Sequence, residues 1–187
     1  MDHTNPASGR EPRRKRDWKH NAEKLKWLRA IRYFILAAAV LFLLFRFVIG
    51  FSVIDGNSMA PSLTDGDLVF YTRIGNRYQR GDLVAVSLPS GEFYVKRVVA
   101  VGGDVVDLRD GVVYINGVAE DSGYVKGPTL PEEGAFHYPL TVDPGSVFIM
   151  GDNRMGSIDS RFLGPVAERQ VSGALRLRVG WLYIQGL

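Results

Sequence analysis

Glu92-Phe93-Tyr94-Val95-Lys96-Arg97-Val98-Val99-Ala100-Val101 is the stretch that decides the fold class. β-branched and aromatic side chains dominate it, which marks a strand. Alternation places Tyr94, Lys96, Val98 and Ala100 on one face and Phe93, Val95, Arg97 and Val99 on the other. Runs of the same texture recur on both sides, at residues 67–72, 82–88, 104–108, 111–115, 146–150 and 174–184, separated by Gly, Asp, Asn and Pro. Asp110-Gly111 and Asn116-Gly117 flank Val112-Val113-Tyr114-Ile115, and both pairs suit tight hairpin turns that need positive φ. Residues 120–145 hold four of the nine prolines and read as loops. From residue 52 onward no long helical pattern, internal repeat or glycine-rich phosphate loop stands out, so the body is all-β.

Upstream the texture is different. Residues 33–45 are thirteen in number and carry no charge. With Ile31 before them and Phe47-Val48-Ile49 after Arg46, the apolar stretch is about nineteen residues, roughly the thickness of a hydrocarbon core. It is apolar on every side, unlike the one-faced helix of a soluble core. No Ala-x-Ala follows it, only Gly50-Phe51-Ser52, so a retained anchor over 33–51 is expected rather than a cleaved leader. Residues 1–32 hold ten Lys/Arg against four Asp/Glu, a net of +6, whereas residues 51–187 net −4. That asymmetry predicts a cytoplasmic N-terminus and an exported body, 52–187. Residues 1–24 lack apolar periodicity and read as a disordered or membrane-surface tail. The basic character of the chain resides in this tail, so no nucleic-acid partner is implied.

The 187 residues are 46% hydrophobic and contain no cysteine, which excludes disulfides, a cysteine nucleophile and thiolate metal sites. Three histidines, His3, His20 and His137, argue against a His-rich metal site or a Ser-His-Asp triad. A catalytic base has to be sought elsewhere. The body has two lysines, Lys96 and Lys126; Lys126 lies in a loop, Gly123-Tyr124-Val125-Lys126-Gly127-Pro128. Lys96 shares its face with apolar neighbours, the setting that lowers an ammonium's pKa by desolvation. Read alone it is equally a sheet-edge lysine guarding against aggregation. Ser58 sits in Asp55-Gly56-Asn57-Ser58-Met59-Ala60-Pro61-Ser62-Leu63, where Gly56 permits an unusual turn. Read alone, Ser58 is a turn serine. A third block, Gly151-Asp152-Asn153-Arg154-Met155-Gly156-Ser157-Ile158-Asp159-Ser160-Arg161, offers two carboxylates and two guanidiniums. Their pairing predicts an ionic scaffold rather than a Ca²⁺ loop or an acid–base pair.

Together these blocks resemble the bacterial type I signal peptidases: a basic tail, an anchor, Ser-Met-x-Pro at 58–61, Gly-Asp-Leu-Val at 81–84, Tyr-Val-Lys-Arg-Val-Val at 94–99 and Gly-Asp-Asn-Arg…Ser-x-Asp-Ser-Arg at 151–161, in that order. The resemblance covers roughly residues 33–181. It implies an all-β catalytic core with a small β-rich cap inserted at about 104–145, behind one transmembrane helix. It implies Ser58 as nucleophile, Lys96 as general base, Ser157 as the group orienting that lysine, and Asp159 with Arg161 as a supporting ion pair near Asp152 and Arg97. Ile54, Leu63 and Val95 match positions lining shallow substrate pockets. Some members carry a hydroxyl residue at the position of Gly56 as an oxyanion donor, so here the oxyanion would depend on backbone donors around Ser58 and Gly56. The implied partners are signal-peptide-bearing preproteins, membrane lipid and the export machinery; no cofactor and no metal are implied. Two other classes compete: the self-cleaving SOS-repressor type of Ser/Lys peptidase, and a non-enzymatic anchored β domain.

Overall fold

The computed structural model describes residues 13–75, 77–121, 123–180 and 183–186, with the side chains of 13–22 and 183–185 left out of the description. The expectations for residues 1–12, and for Trp181 and Leu182 in the apolar C-terminal run, lie outside it. The chain divides into a helical unit ending at Leu44 and a body from Phe45 onward.

Helix α1 runs Arg13–Phe47. It reaches back into the segment read as tail, because no glycine or proline interrupts 13–47 and Arg, Lys, Ala and Leu are good helix formers. Polarity there argued against burial, and burial is not what a helix needs. The helix also stops four residues before the expected end of the anchor. Val48 and Ile49 are β-branched, and strand β1 (Ile49–Val53) is already pairing by then. Within α1, Glu23–Phe47 is long and apolar enough to cross a membrane, and large side chains such as Phe34 and Phe42 are exposed.

The body follows with β2 (Leu68–Thr72), β3 (Leu83–Ser87), β4 (Phe93–Val101), β5 (Val105–Arg109), β6 (Val112–Ile115), β7 (Val118–Ala119), β8 (Leu140–Thr141), β9 (Ser146–Met150), the short helix α2 (Ser160–Leu163), β10 (Val166–Ala167), β11 (Val171–Gly180) and β12 (Tyr183–Gly186). The large antiparallel sheet has the order β1-β2-β11-β3-β4-β9-β10, with β12 also pairing β11. A second sheet, β7-β6-β5-β8, is built from two turns of the expected kind. Asp110, Gly111, Asn116 and Gly117 all have positive φ.

Apolar residues of β3 and β4 are buried on both faces. Val95 packs with Ile54, Met59, Leu63 and Leu83, while Val98 packs with Val84, Val147 and Ile149 on the opposite side. Strict alternation then fails. The register against β9 slips between Val98 and Ala100, and Val99 and Ala100 both join the cluster holding Phe148, Val106 and Val113. Ala100 therefore does not continue the Lys96–Val98 face, as alternation predicts. A bulge turns the end of β4 toward the second sheet.

Candidate active site

The corner that carries Ser58 begins where β1 ends. Ile54 N–H donates to Asp67 O at 2.8 Å and Gly66 N–H returns to Ile54 O at 2.9 Å, closing the base of a loop over residues 55–66. Inside it Gly56, at φ 85°, donates its N–H to the Asp65 carboxylate at 2.7 Å. Asp67, buried, accepts from Thr64 and pairs with Arg178 at 2.7 Å, while Arg178 also donates to Ser62 O. Burial opposes its ionisation, but those contacts hold its carboxyl below the usual range. A loop pinned at so many points presents a serine in one orientation.

Lys96 reaches it from β4. Its Nζ lies 2.8 Å from Ser58 Oγ, donating to it, and the residue is 2% exposed. In the neutral form the same separation lets the nitrogen lone pair take the hydroxyl proton. Burial pushes Lys96 down to about 8; Asp159 and Asp152 oppose that shift, and Arg161 reinforces it. The cation acting on Lys96 is thus Arg161, not its neighbour Arg97. The Tyr94 ring stands 5.4 Å from the amine.

The third block wraps around this pair. Asp159 caps α2 and accepts from Gly151 N–H at 3.0 Å while pairing with Arg161 at 2.9 Å, both side chains being buried. Asp152, wholly buried, is gripped by Arg97 through two bonds of 2.8 and 2.7 Å, and Arg97 reaches Ser62 Oγ as well. Such a bidentate pair fixes both angle and distance. Ser157 departs from expectation. Its Oγ is buried and has no hydrogen-bond partner among the described residues, and Lys96 donates to Ser58 instead.

Two further expectations change. Gly56 has no side chain to offer and its N–H is committed to Asp65, so it shapes the corner and is not a free oxyanion donor. Ile54 and Val95 line a pocket of about 90 Å³ beside Ser58, together with Ser52, Val53, Met59 and Tyr94. Leu63 does not line it; the residue is fully buried in the core against Met59, because the loop turns inward after Pro61. A volume below the roughly 150 Å³ that admits benzene suits small side chains.

Sequence reasoning passed over Gly151 and Asn153. Asn153 N–H donates to Ser58 O at 3.0 Å and its Nδ2 to Asn57 O at 3.1 Å. A Cβ on Gly151 would lie 2.2 Å from Ser157 Oγ and 2.5 Å from Ser58 O. A glycine opening a polar block after a buried strand was the available signal. His137 and Lys126 are both exposed; only the backbone of Lys126 engages the block, bridging to Asn153.

The family model for signal peptidase, peptidase S26, matches residues 26–181. Signal peptidase I S of Bacillus subtilis (strain 168) is 32% identical over 160 residues, covering 80% of this chain and 85% of that protein. Signal peptidase IB of Staphylococcus aureus is 29% identical over 173 residues, covering 83% and 89%. A crystal structure of a signal peptidase I from Enterococcus faecalis V583 is 32% identical, covers 52% of this chain and 96% of its own, and superposes with a TM-score of 0.44. With a buried lysine against a corner serine and a family match across most of its length, the chain belongs to the signal peptidase I family, peptidase S26.

Proposed function

We propose that the chain removes signal peptides from exported preproteins as a membrane-anchored serine endopeptidase, with Ser58 as nucleophile and Lys96 as general base. The observation that carries this reading is a buried amine 2.8 Å from a serine hydroxyl. Neutral Lys96 takes the Ser58 proton as Oγ attacks the scissile carbonyl, and the electron pair moves to the carbonyl oxygen, which the Ser58 N–H stabilises. Collapse expels the mature chain's amine, protonated by the Lys96 ammonium, and leaves an ester on Ser58. Lys96 then deprotonates water, and hydrolysis frees the signal peptide and restores Ser58. Asp152, Asp159, Arg97 and Arg161 hold the frame. β1 is the terminal strand of its sheet, so an extended substrate can add alongside it, with small residues at −1 and −3.

The test is incubation of the detergent-solubilised protein with a signal-peptide-bearing precursor, followed by sequencing of the new N-terminus. The new end should follow a small-x-small triplet. A lysine at about 8 predicts that kcat/KM rises with pH through an acid limb near 8 and levels above it, because only the neutral amine is a base. A limb near 10 would mean a solvated lysine and no neutral-lysine mechanism.

The proposed division is a basic cytoplasmic segment 1–32, an anchor from 33, and an exported domain 52–187 with a cap at 104–145. The orientation rests on the +6 segment before the helix. Protease added outside spheroplasts should digest an epitope at residue 187 and spare one at residue 5; the opposite pattern reverses the topology.

A further inference from the structure

Arg154 is 1% exposed. A guanidinium has five donors and no acceptor, and one taken out of water needs a countercharge. Among the described residues the carboxylate paired with it is Glu120, which follows β7 in the second sheet, at 2.7 Å. Arg154 also donates through Nη1 to Thr129 Oγ1 at 2.7 Å and through Nε to Gly151 O at 3.1 Å. Its charge is therefore settled by one sheet, while its Nε grips the glycine packed against the Ser58 carbonyl.

The second oxygen of Glu120 accepts from Tyr124 OH at 2.9 Å. The Tyr124 ring lies 3.9 Å from the guanidinium carbon of Arg97, the residue that clasps Asp152. Arg154 and Arg97 are thus both tied to one carboxylate, directly or through one ring, while Arg161 holds the same segment separately through the Arg154 carbonyl. Glu120 is itself fixed by its N–H to Val113 O at 2.8 Å. On the far side the same residues meet the nucleophile, through Asn153 N–H and the Cα of Gly151.

We propose that Glu120 is a positioning residue of the active site, which through Arg154 and Tyr124 holds residues 151–154 against the carbonyl of Ser58. This rests on the Ser58–Lys96 reading. Glu120 touches no reacting atom; the second sheet thereby contributes to a site it does not line. The charges that act on Lys96 are Asp159, Arg161 and Asp152, with the Tyr94 ring beside it. A change at Glu120 reaches the amine through displacement of residues 151–154, which admits water and relaxes the burial that holds the lysine low.

The test uses the full chain in detergent, a signal-peptide-bearing precursor, and kcat and KM measured from pH 6 to 10. Glu120→Gln should lower kcat by about tenfold or more with KM within about twofold, and move the acid limb upward by about half a unit or more. Tyr124→Phe, which keeps the ring on Arg97 and removes the hydroxyl, should lower kcat by about two- to threefold in the same sense. An unchanged rate in Glu120→Gln overturns the proposal. So does a lower rate with an unmoved limb, since a smaller folded fraction scales the profile without shifting it. If Glu120→Gln shows no cooperative melt, Tyr124→Phe decides by the same two readouts. Failure of the wild-type protein to cleave would instead overturn the function proposed above.

Discussion

Ser58→Ala and Lys96→Met are each expected to lower precursor cleavage by at least about a thousandfold, and the double variant to be little worse than either, because groups acting as one unit are strongly non-additive. The reason lies in the contact between them. With Nζ 2.8 Å from Oγ, neither atom has a substitute: removing the hydroxyl leaves a base with nothing to activate, and removing the amine leaves an ordinary alcohol. Methionine fills most of the space of the buried lysine stem, so a fold defect should not mimic the loss. Lys126→Met serves as comparison, since that side chain is exposed, and cleavage should stay close to normal. Appreciable cleavage by purified Ser58→Ala would remove the serine from its role, and full activity in Lys96→Met would remove the lysine.

Gly151→Ala should be nearly as damaging, for reasons of space alone. The added methyl would lie 2.2 Å from Ser157 Oγ and 2.5 Å from Ser58 O, and the latter is the backbone of the proposed nucleophile itself. The clash can be relieved by moving either residue 151, which Asp159 holds through its N–H, or the Ser58 corner, which Asn153 holds through its carbonyl. Overpacking of this kind costs about 1–3 kcal/mol and should lower Tm by about 2–12 °C in a chain of this size. Misplacement of a catalytic group by about an ångström costs about a hundredfold, so kcat/KM should fall far beyond what partial unfolding explains. Thermal melting and kinetics on the same preparation separate the two effects. Activity within threefold of wild type would show that residues 151–154 do not set the position of Ser58.

The sequence by itself determined whatever depends on neighbours a few residues apart. Strand character follows from β-branched runs, and the second sheet's hairpins follow from Asp110-Gly111 and Asn116-Gly117, whose positive φ values are a local property of those residue types. The apolar helix and the charge asymmetry around it were equally legible, as were the three blocks holding Ser58, Lys96 and the Asp159–Arg161 pair. The helix boundaries were not: tail polarity says nothing against α1 beginning at Arg13, and the end at Phe47 is set by where β1 finds its partner in β2.

What only the tertiary structure decided are the contacts across long chain separations. Lys96 meets Ser58 across 38 positions, Arg97 meets Asp152 across 55, and Arg154 meets Glu120 across 34. Residue types at those separations carry no record of distance, because strand order and register bring them together. The bulge at Val99, the inward turn that puts Leu63 in the core, the commitment of the Gly56 N–H to Asp65 and the Ser157 hydroxyl left without a partner among the described residues belong to the same class. Each results from a competition for space or for a hydrogen-bond partner between segments far apart in the chain, and such competitions are settled only when the sheets assemble.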